Sequence, residues 1–172
     1  MKLDDSDFAL FRLPERFSLD RADLDIRWRQ MQGSAHPDRF VGEGAASQRL
    51  AMQWSVRINE AYRRLREPLT RAAYLCELRG APISAHTNTA MPADFLLQQM
   101  AWREALDDAD DSVALAKLEA EVLAGERDLL GQLDTLLDQQ SAPRQAAERV
   151  RALMFINRFR ADLAERIDAF HD

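Results

Sequence analysis

Three successive residues, His36-Pro37-Asp38, combine a titratable imidazole, a backbone lock and a carboxylate between two long stretches of helical periodicity. A histidine beside a carboxylate can serve general acid–base chemistry, but that chemistry also needs a nucleophile or a metal in reach, and nothing at suitable spacing offers one. The tripeptide is better built for contact. Pro37 fixes its own φ and pushes His36 out of the α region, so the preceding helix must end at or before His36. Asp38 can fold back on nearby backbone N–H groups as an Asx turn, which stiffens the loop and gives the imidazole a defined direction. Such a loop is either an ordinary interhelix turn or a handle for a partner, and its flanks must decide between them.

Other chemistry-bearing residues are sparse. His36, His86 and His171 have no Cys pair or HExxH spacing near them, so neither a zinc site nor any other cofactor is expected. The lone cysteine, Cys76, excludes an intramolecular disulfide and lies in a helical stretch between Leu75 and Leu78, where buried packing is its expected role. There is no Gly-rich phosphate loop and no catalytic residue to assign, so the chain is not read as an enzyme.

The elements that position the loop follow from periodicity. Upstream, Asp20 is placed as an N-cap, with Leu19 and Leu24 as a hydrophobic staple, for a helix running through Ile26, Trp28 and Met31. Arg27 and Arg29 point away from much of that apolar set. Downstream of Gly42 and Gly44, apolar residues at Leu50, Trp54, Ile58, Ala61, Tyr62 and Leu65 recur at helical spacing until Glu67-Pro68 ends the run. Two such helices joined by a short loop pack antiparallel. A further helix from Leu69 to Leu78 closes the first unit, which should reach about Gly80. The segment 81–92, APISAHTNTAMP, with its two prolines and small polar residues, reads as a connector too short for a free linker.

Three helical patterns follow the connector: Asp94 to about Ala109, Ser112 to about Asp138, and Pro143 to about Phe170, with Asp94 and Ser112 as expected N-caps and Ser141 with Pro143 opening the last. In the middle pattern Leu115, Leu118, Val122, Leu129, Leu133 and Leu136 share a face. Gly125 and Gly131 each cost about 1 kcal/mol there relative to Ala, which points to close packing or bending near them. In the last, Ile156, Phe159, Leu163, Ile167 and Phe170 define the core side, with Phe155 at its edge. The first pattern is unusual in having two apolar faces. At about 100° per residue, Phe95, Trp102, Leu106 and Ala109 make a core face, whereas Leu96, Leu97, Met100 and Ala101 fall on the other side among Glu104, Asp107 and Asp108. In a three-helix bundle the second face is left for water or a partner, and a contiguous apolar patch ringed by acid marks an interaction site. Packing of that face within the protein or a dimer is the alternative.

Composition sets the class. The chain has 172 residues, 47% hydrophobic and 30% charged, with a formal net charge of −6. No apolar run approaches the roughly 20 residues that span a membrane, and the opening MKLDDSDF is too acidic for a signal or transit peptide, so a cytoplasmic protein without a membrane partner is expected. Residues 1–80 carry a balance of +2 and residues 81–172 a balance of −8, which fits two surfaces for two partners. A helix-turn-helix nucleic-acid binder could use Arg27, Arg29 and Arg39, but the acidic balance and the lack of a basic recognition helix weigh against nucleic acid as a partner.

The ordered segments HPDRF at 36–40, INEAYRRL at 58–65 and EPLTRAAY at 67–74 resemble a J domain, the module by which co-chaperones engage DnaK-type chaperones. With FALFRLP at 8–14 and a small helical C-terminal region, nearly the whole chain resembles the HscB family of iron–sulfur cluster co-chaperones. The resemblance implies an all-α fold: a J domain over 1–80, built on an antiparallel helix pair with its HPD loop, a connector over 81–92, and a three-helix scaffold-binding domain over 93–172. It further implies that His36, Pro37 and Asp38 engage an HscA chaperone and stimulate its ATPase, with Arg27, Arg29 and Arg39 supplying positive charge. Leu96, Leu97, Met100, Glu104, Asp108 and Phe155 would bind an IscU-type scaffold. A general J-domain co-chaperone with another client is the alternative function. Two departures stand out: Gly33-Ser34-Ala35 replaces a more basic, more helix-favouring run, which suggests early fraying, and Ala101 replaces an acidic residue common in the scaffold-binding stripe.

Overall fold

The computed structural model describes residues 2–35, 38, 42 and 44–169. Seven α-helices account for most of them: α1 (Asp7–Leu10), α2 (Arg21–Ala35), α3 (Ala45–Arg66), α4 (Pro68–Leu78), α5 (Ala93–Asp108), α6 (Ser112–Asp134) and α7 (Pro143–Asp168). There is no strand among the described residues. The chain divides into two compact units inside α4, the first reaching Tyr74 and the second starting at Leu75.

In the first unit the Asp20 carboxylate caps α2, accepting from the Ala22 N–H at 2.8 Å and the Asp23 N–H at 3.4 Å. The helix then runs to Ala35, so the expected fraying at Gly33-Ser34-Ala35 does not occur. Ser34 bonds back to the Gln30 carbonyl at 3.0 Å, keeping its hydroxyl on the helix. α2 and α3 run antiparallel, because Asp25 meets Tyr62, Trp28 meets Asn59 and Gln32 meets Ser55. Phe8, Phe11, Phe17, Leu24, Ile58, Ala61 and Leu65 form the core. Ile26 and Leu50, expected inside, are half exposed and border an apolar groove of about 830 Å³ that Phe11, Met31 and Trp54 also line.

A buried carboxylate holds the N-terminal segment. Asp7 in α1 is fully buried, and its two oxygens lie 2.7 Å from the Arg57 guanidinium and 3.0 Å from that of Arg64 on α3. Its N–H donates to the Tyr74 hydroxyl at 3.0 Å. Arg57 also donates to the carbonyls of Leu3 and Asp5. Two cations around one carboxylate are what burying that charge requires, and the Tyr74 hydroxyl satisfies the backbone beside it.

In the second unit α5, α6 and α7 form an up-down-up bundle. Phe95 meets Phe155 and Trp102 meets Phe159, so α5 and α7 are parallel; Gln132 meets Arg149 and Glu126 meets Arg160, so α6 runs against α7. Leu115, Leu118, Val122, Leu129, Leu133 and Leu136 are all buried, as their spacing predicts. Gly125 allows a close approach: a Cβ there would lie 2.7 Å from the Trp102 ring. The expected caps shift by one or two residues. Asp111, not Ser112, caps α6, accepting from the Ala114 N–H at 2.7 Å, and Pro92 occupies the cap position of α5, with Asp94 in the first turn. α6 gives way to a π turn at Thr135–Gln139 rather than continuing regularly to Asp138. The segment before α5 is tied down: buried Arg151 of α7 donates to the carbonyls of Ile83 and Ala90, at 3.0 and 2.5 Å, and Ala81 and Ile83 are buried. Cys76 is buried too, and burial pushes its thiol up to about 11.

Candidate functional site

The first candidate surface lies where α2 ends and α3 begins. Asp38 is exposed there, whereas His36, Pro37 and Arg39 lie outside the described residues. The two helices that flank the loop are locked by a polar seam. The Trp28 and Tyr62 rings stack with centroids 4.6 Å apart, and the Trp28 indole N–H and the Gln32 amide both donate to Asn59 Oδ1, at 3.1 and 2.6 Å. Tyr62 donates to Asp25 at 2.9 Å; burial, followed by this bond, holds its hydroxyl above the usual tyrosine range.

The two arginines proposed to flank the loop differ. Arg29 is exposed on α2. Arg27 makes three internal bonds: Nε donates to Asp23 at 2.8 Å, and Nη1 donates to the carbonyls of Phe11 at 3.0 Å and Arg12 at 3.1 Å. The bond to Asp23 raises its pKa above the ordinary arginine value. Arg12 sits at φ 54°, so Arg27 braces a left-handed turn at the end of the FALFRLP segment. Helical periodicity marked Arg27 as a surface cation but could not show that two carbonyls sixteen and fifteen residues upstream would meet it.

The second candidate surface is the outward face of α5. Phe95 and Trp102 turn inward, packed edge to face with each other, and Trp102 stacks on Phe159. On the other side Leu96, Leu97 and Met100 are 39%, 71% and 65% exposed, and Glu104 and Asp108 are exposed beside them. Five of the six residues assigned to scaffold contact thus share an open face of one helix. Phe155 departs from its expected edge position. It is 5% exposed, set edge to face on Phe95 and stacked on Phe159, and the Arg103 guanidinium lies over its ring at 5.2 Å. Packing of α5 parallel to α7 closes the aromatic cluster around it, a tertiary effect that a helical wheel of α7 alone does not contain. Arg103 is a residue that the sequence reading passed over, although its spacing of seven from Leu96 and three from Met100 puts it on their stripe.

Comparison with known proteins agrees with this geometry. Residues 91–164 match the family model described as the HSCB C-terminal oligomerisation domain. The chain is 50% identical over 171 residues to a co-chaperone protein HscB homolog of Burkholderia multivorans, covering 98% of this chain and 97% of that one. It is 46% identical over 161 residues to the homolog of Bordetella petrii, covering 93% and 95%. Among solved structures it is similar to the human co-chaperone HscB, with a TM-score of 0.87 and 25% identity over 96% of this chain and 84% of that one. HscB from Vibrio cholerae is similar with a TM-score of 0.81 and 34% identity over 96% and 99%. An all-α chain that pairs an antiparallel helix hairpin with a three-helix bundle, and that shares this much sequence along its length, belongs to the HscB family of J-domain co-chaperones of iron–sulfur cluster assembly.

Proposed function

We propose that the outward face of α5 binds an IscU-type scaffold and that the His36-Pro37-Asp38 loop presents the bound scaffold to an HscA-type chaperone and stimulates its ATPase. The observation that carries this reading is the open apolar face of Leu96, Leu97 and Met100 on a helix whose opposite side buries Phe95 and Trp102 in the core. Exposed apolar side chains gain by leaving water, and apolar anchors at the centre of a patch dominate interface energy. Glu104 and Asp108, on the adjoining stripe, would meet cations of the scaffold at the rim, where charge sets register and association rate.

In this reading the J domain spans 1–80, the connector 81–92 and the scaffold-binding domain 93–172. Arg29 and Arg39 add positive charge beside the loop, whereas Arg27 contributes by bracing the turn at Phe11 and Arg12. The protein acts in the cytoplasm by contact and carries out no hydrolysis itself. No helix among the described residues is long and apolar enough to cross a membrane. The test is chaperone turnover: His36→Gln should abolish stimulation of the HscA-type ATPase while leaving scaffold binding at its unsubstituted value. Full stimulation by that variant would overturn the loop's assigned role.

A further inference from the structure

The rim of the α5 face is not uniformly acidic. Along one stripe Leu96 and Met100 are followed by Arg103; along the neighbouring stripe Leu97 and Ala101 are followed by Glu104 and Asp108. The stripe that ends in Arg103 is the one nearer α7, since Arg103 covers Phe155 of that helix. One turn further along α7, exposed Arg158 borders the same depression of about 550 Å³, whose floor is Phe155 and Phe159. Asp162 also borders it, yet among the described residues neither Arg103 nor Arg158 is ion-paired. Two guanidinium groups without an ion pair bordering one depression, Arg103 over the Phe155 ring and Arg158 at its edge, beside an apolar patch, form a fork suited to a planar anion.

We infer that Arg103 and Arg158 form a carboxylate subsite that receives an Asp or Glu side chain of the scaffold protein, adjoining the contact made by Leu96 and Met100. The inference rests on the reading of α5 as the scaffold face. Its content is a polarity: a partner anion on the α7 side and partner cations toward Glu104 and Asp108. A partner docked the other way round would set carboxylate on carboxylate and guanidinium on cation, so the subsite fixes the orientation in which the scaffold is held. Arg103 holds its place through the Phe155 ring, which offers a cation the negative face of its π system without neutralising it.

The test is titration of purified IscU-type scaffold protein into the full chain at low and at moderate salt, with Arg103→Gln/Arg158→Gln and Arg158→Gln compared against Leu97→Ala. The double variant should bind about tenfold more weakly at low salt and lose part of the salt dependence of the unsubstituted protein. Single Asp→Asn and Glu→Gln variants of the scaffold then locate the partner carboxylate: its loss should weaken binding to the unsubstituted chain but not to the double variant. Arg158 is exposed and its substitution leaves the aromatic cluster intact, so a loss shared by Arg158→Gln is not a folding defect. If Leu97→Ala weakens binding while both arginine variants bind normally with unchanged salt dependence, the subsite is wrong and the α5 reading stands. If Leu97→Ala has no effect either, the α5 reading fails and the subsite with it.

Discussion

Replacing Gly125 by Ala sets two known effects against each other. In the middle of α6, Ala is favoured over Gly by about 1 kcal/mol from backbone entropy alone. A Cβ at 125, however, would stand 2.7 Å from Cη2 and 3.0 Å from Cζ2 of Trp102, closer than carbon atoms pack. The indole cannot swing away cheaply, because Trp102 is buried, set edge to face on Phe95 and stacked on Phe159. Overpacking of this kind costs about 1 to 3 kcal/mol, so Gly125→Ala should range from neutral to a net loss of about 2 kcal/mol. Gly131→Ala is the internal control, since nothing lies within 4 Å of a Cβ there and only the propensity gain remains. Urea melts followed by far-UV circular dichroism should therefore place Gly131→Ala above the unsubstituted chain and Gly125→Ala clearly below Gly131→Ala. Equal stabilisation by both substitutions would refute the packing argument.

Asp7→Asn should cost about 3 kcal/mol, the low end for breaking a buried ion pair, because the Arg57 and Arg64 it leaves behind are partly solvated; the urea midpoint measures it. Arg27→Ala should lower the urea midpoint whereas Arg29→Ala should not, since only the former ties Phe11 and Arg12 to α2. Cys76 should resist a thiol reagent in the native chain at pH 8 and react at once when unfolded, its pKa being raised by burial to about 11. Because the folded thiol keeps its proton to higher pH than the unfolded one, its stabilising contribution is complete below the ordinary thiol range and falls as pH rises toward about 11.

Much of the fold is written in local signals. The Asp20 cap, the stop at Glu67-Pro68, the leucine stripe of α6 and the two-faced pattern of α5 each depend on spacing within one helix, which is why they could be read directly. What could not be read depends on contacts between elements distant in sequence. Phe155 became core because α5 packs parallel to α7, Arg27 became a brace because the Phe11-Arg12 turn meets α2, and Asp7 became a buried anion because α1 meets α3. Ile26 and Leu50 show the converse: apolar and correctly phased, they border an open groove rather than a closed core. The cap errors have smaller causes: at α6 Asp111 and its neighbour Ser112 compete for the same orphan N–H groups, and at α5 the helix starts before Asp94, whose carboxylate accepts from the Phe95 N–H inside the first turn.

Everything proposed for the scaffold depends on the outward face of α5 being a contact surface and not part of the core. The measurement is scaffold affinity of Leu96→Ala/Leu97→Ala/Met100→Ala, taken together with its urea midpoint. Exposed side chains change stability by no more than about 0.5 kcal/mol each when truncated, so the triple variant should melt near the unsubstituted chain. Its affinity for an IscU-type scaffold should fall by at least about thirtyfold, the equivalent of one strong interface anchor of about 2 kcal/mol. A loss of several kcal/mol in stability would show that these side chains belong to the core, and unchanged affinity in a well-folded variant would show that the scaffold binds elsewhere.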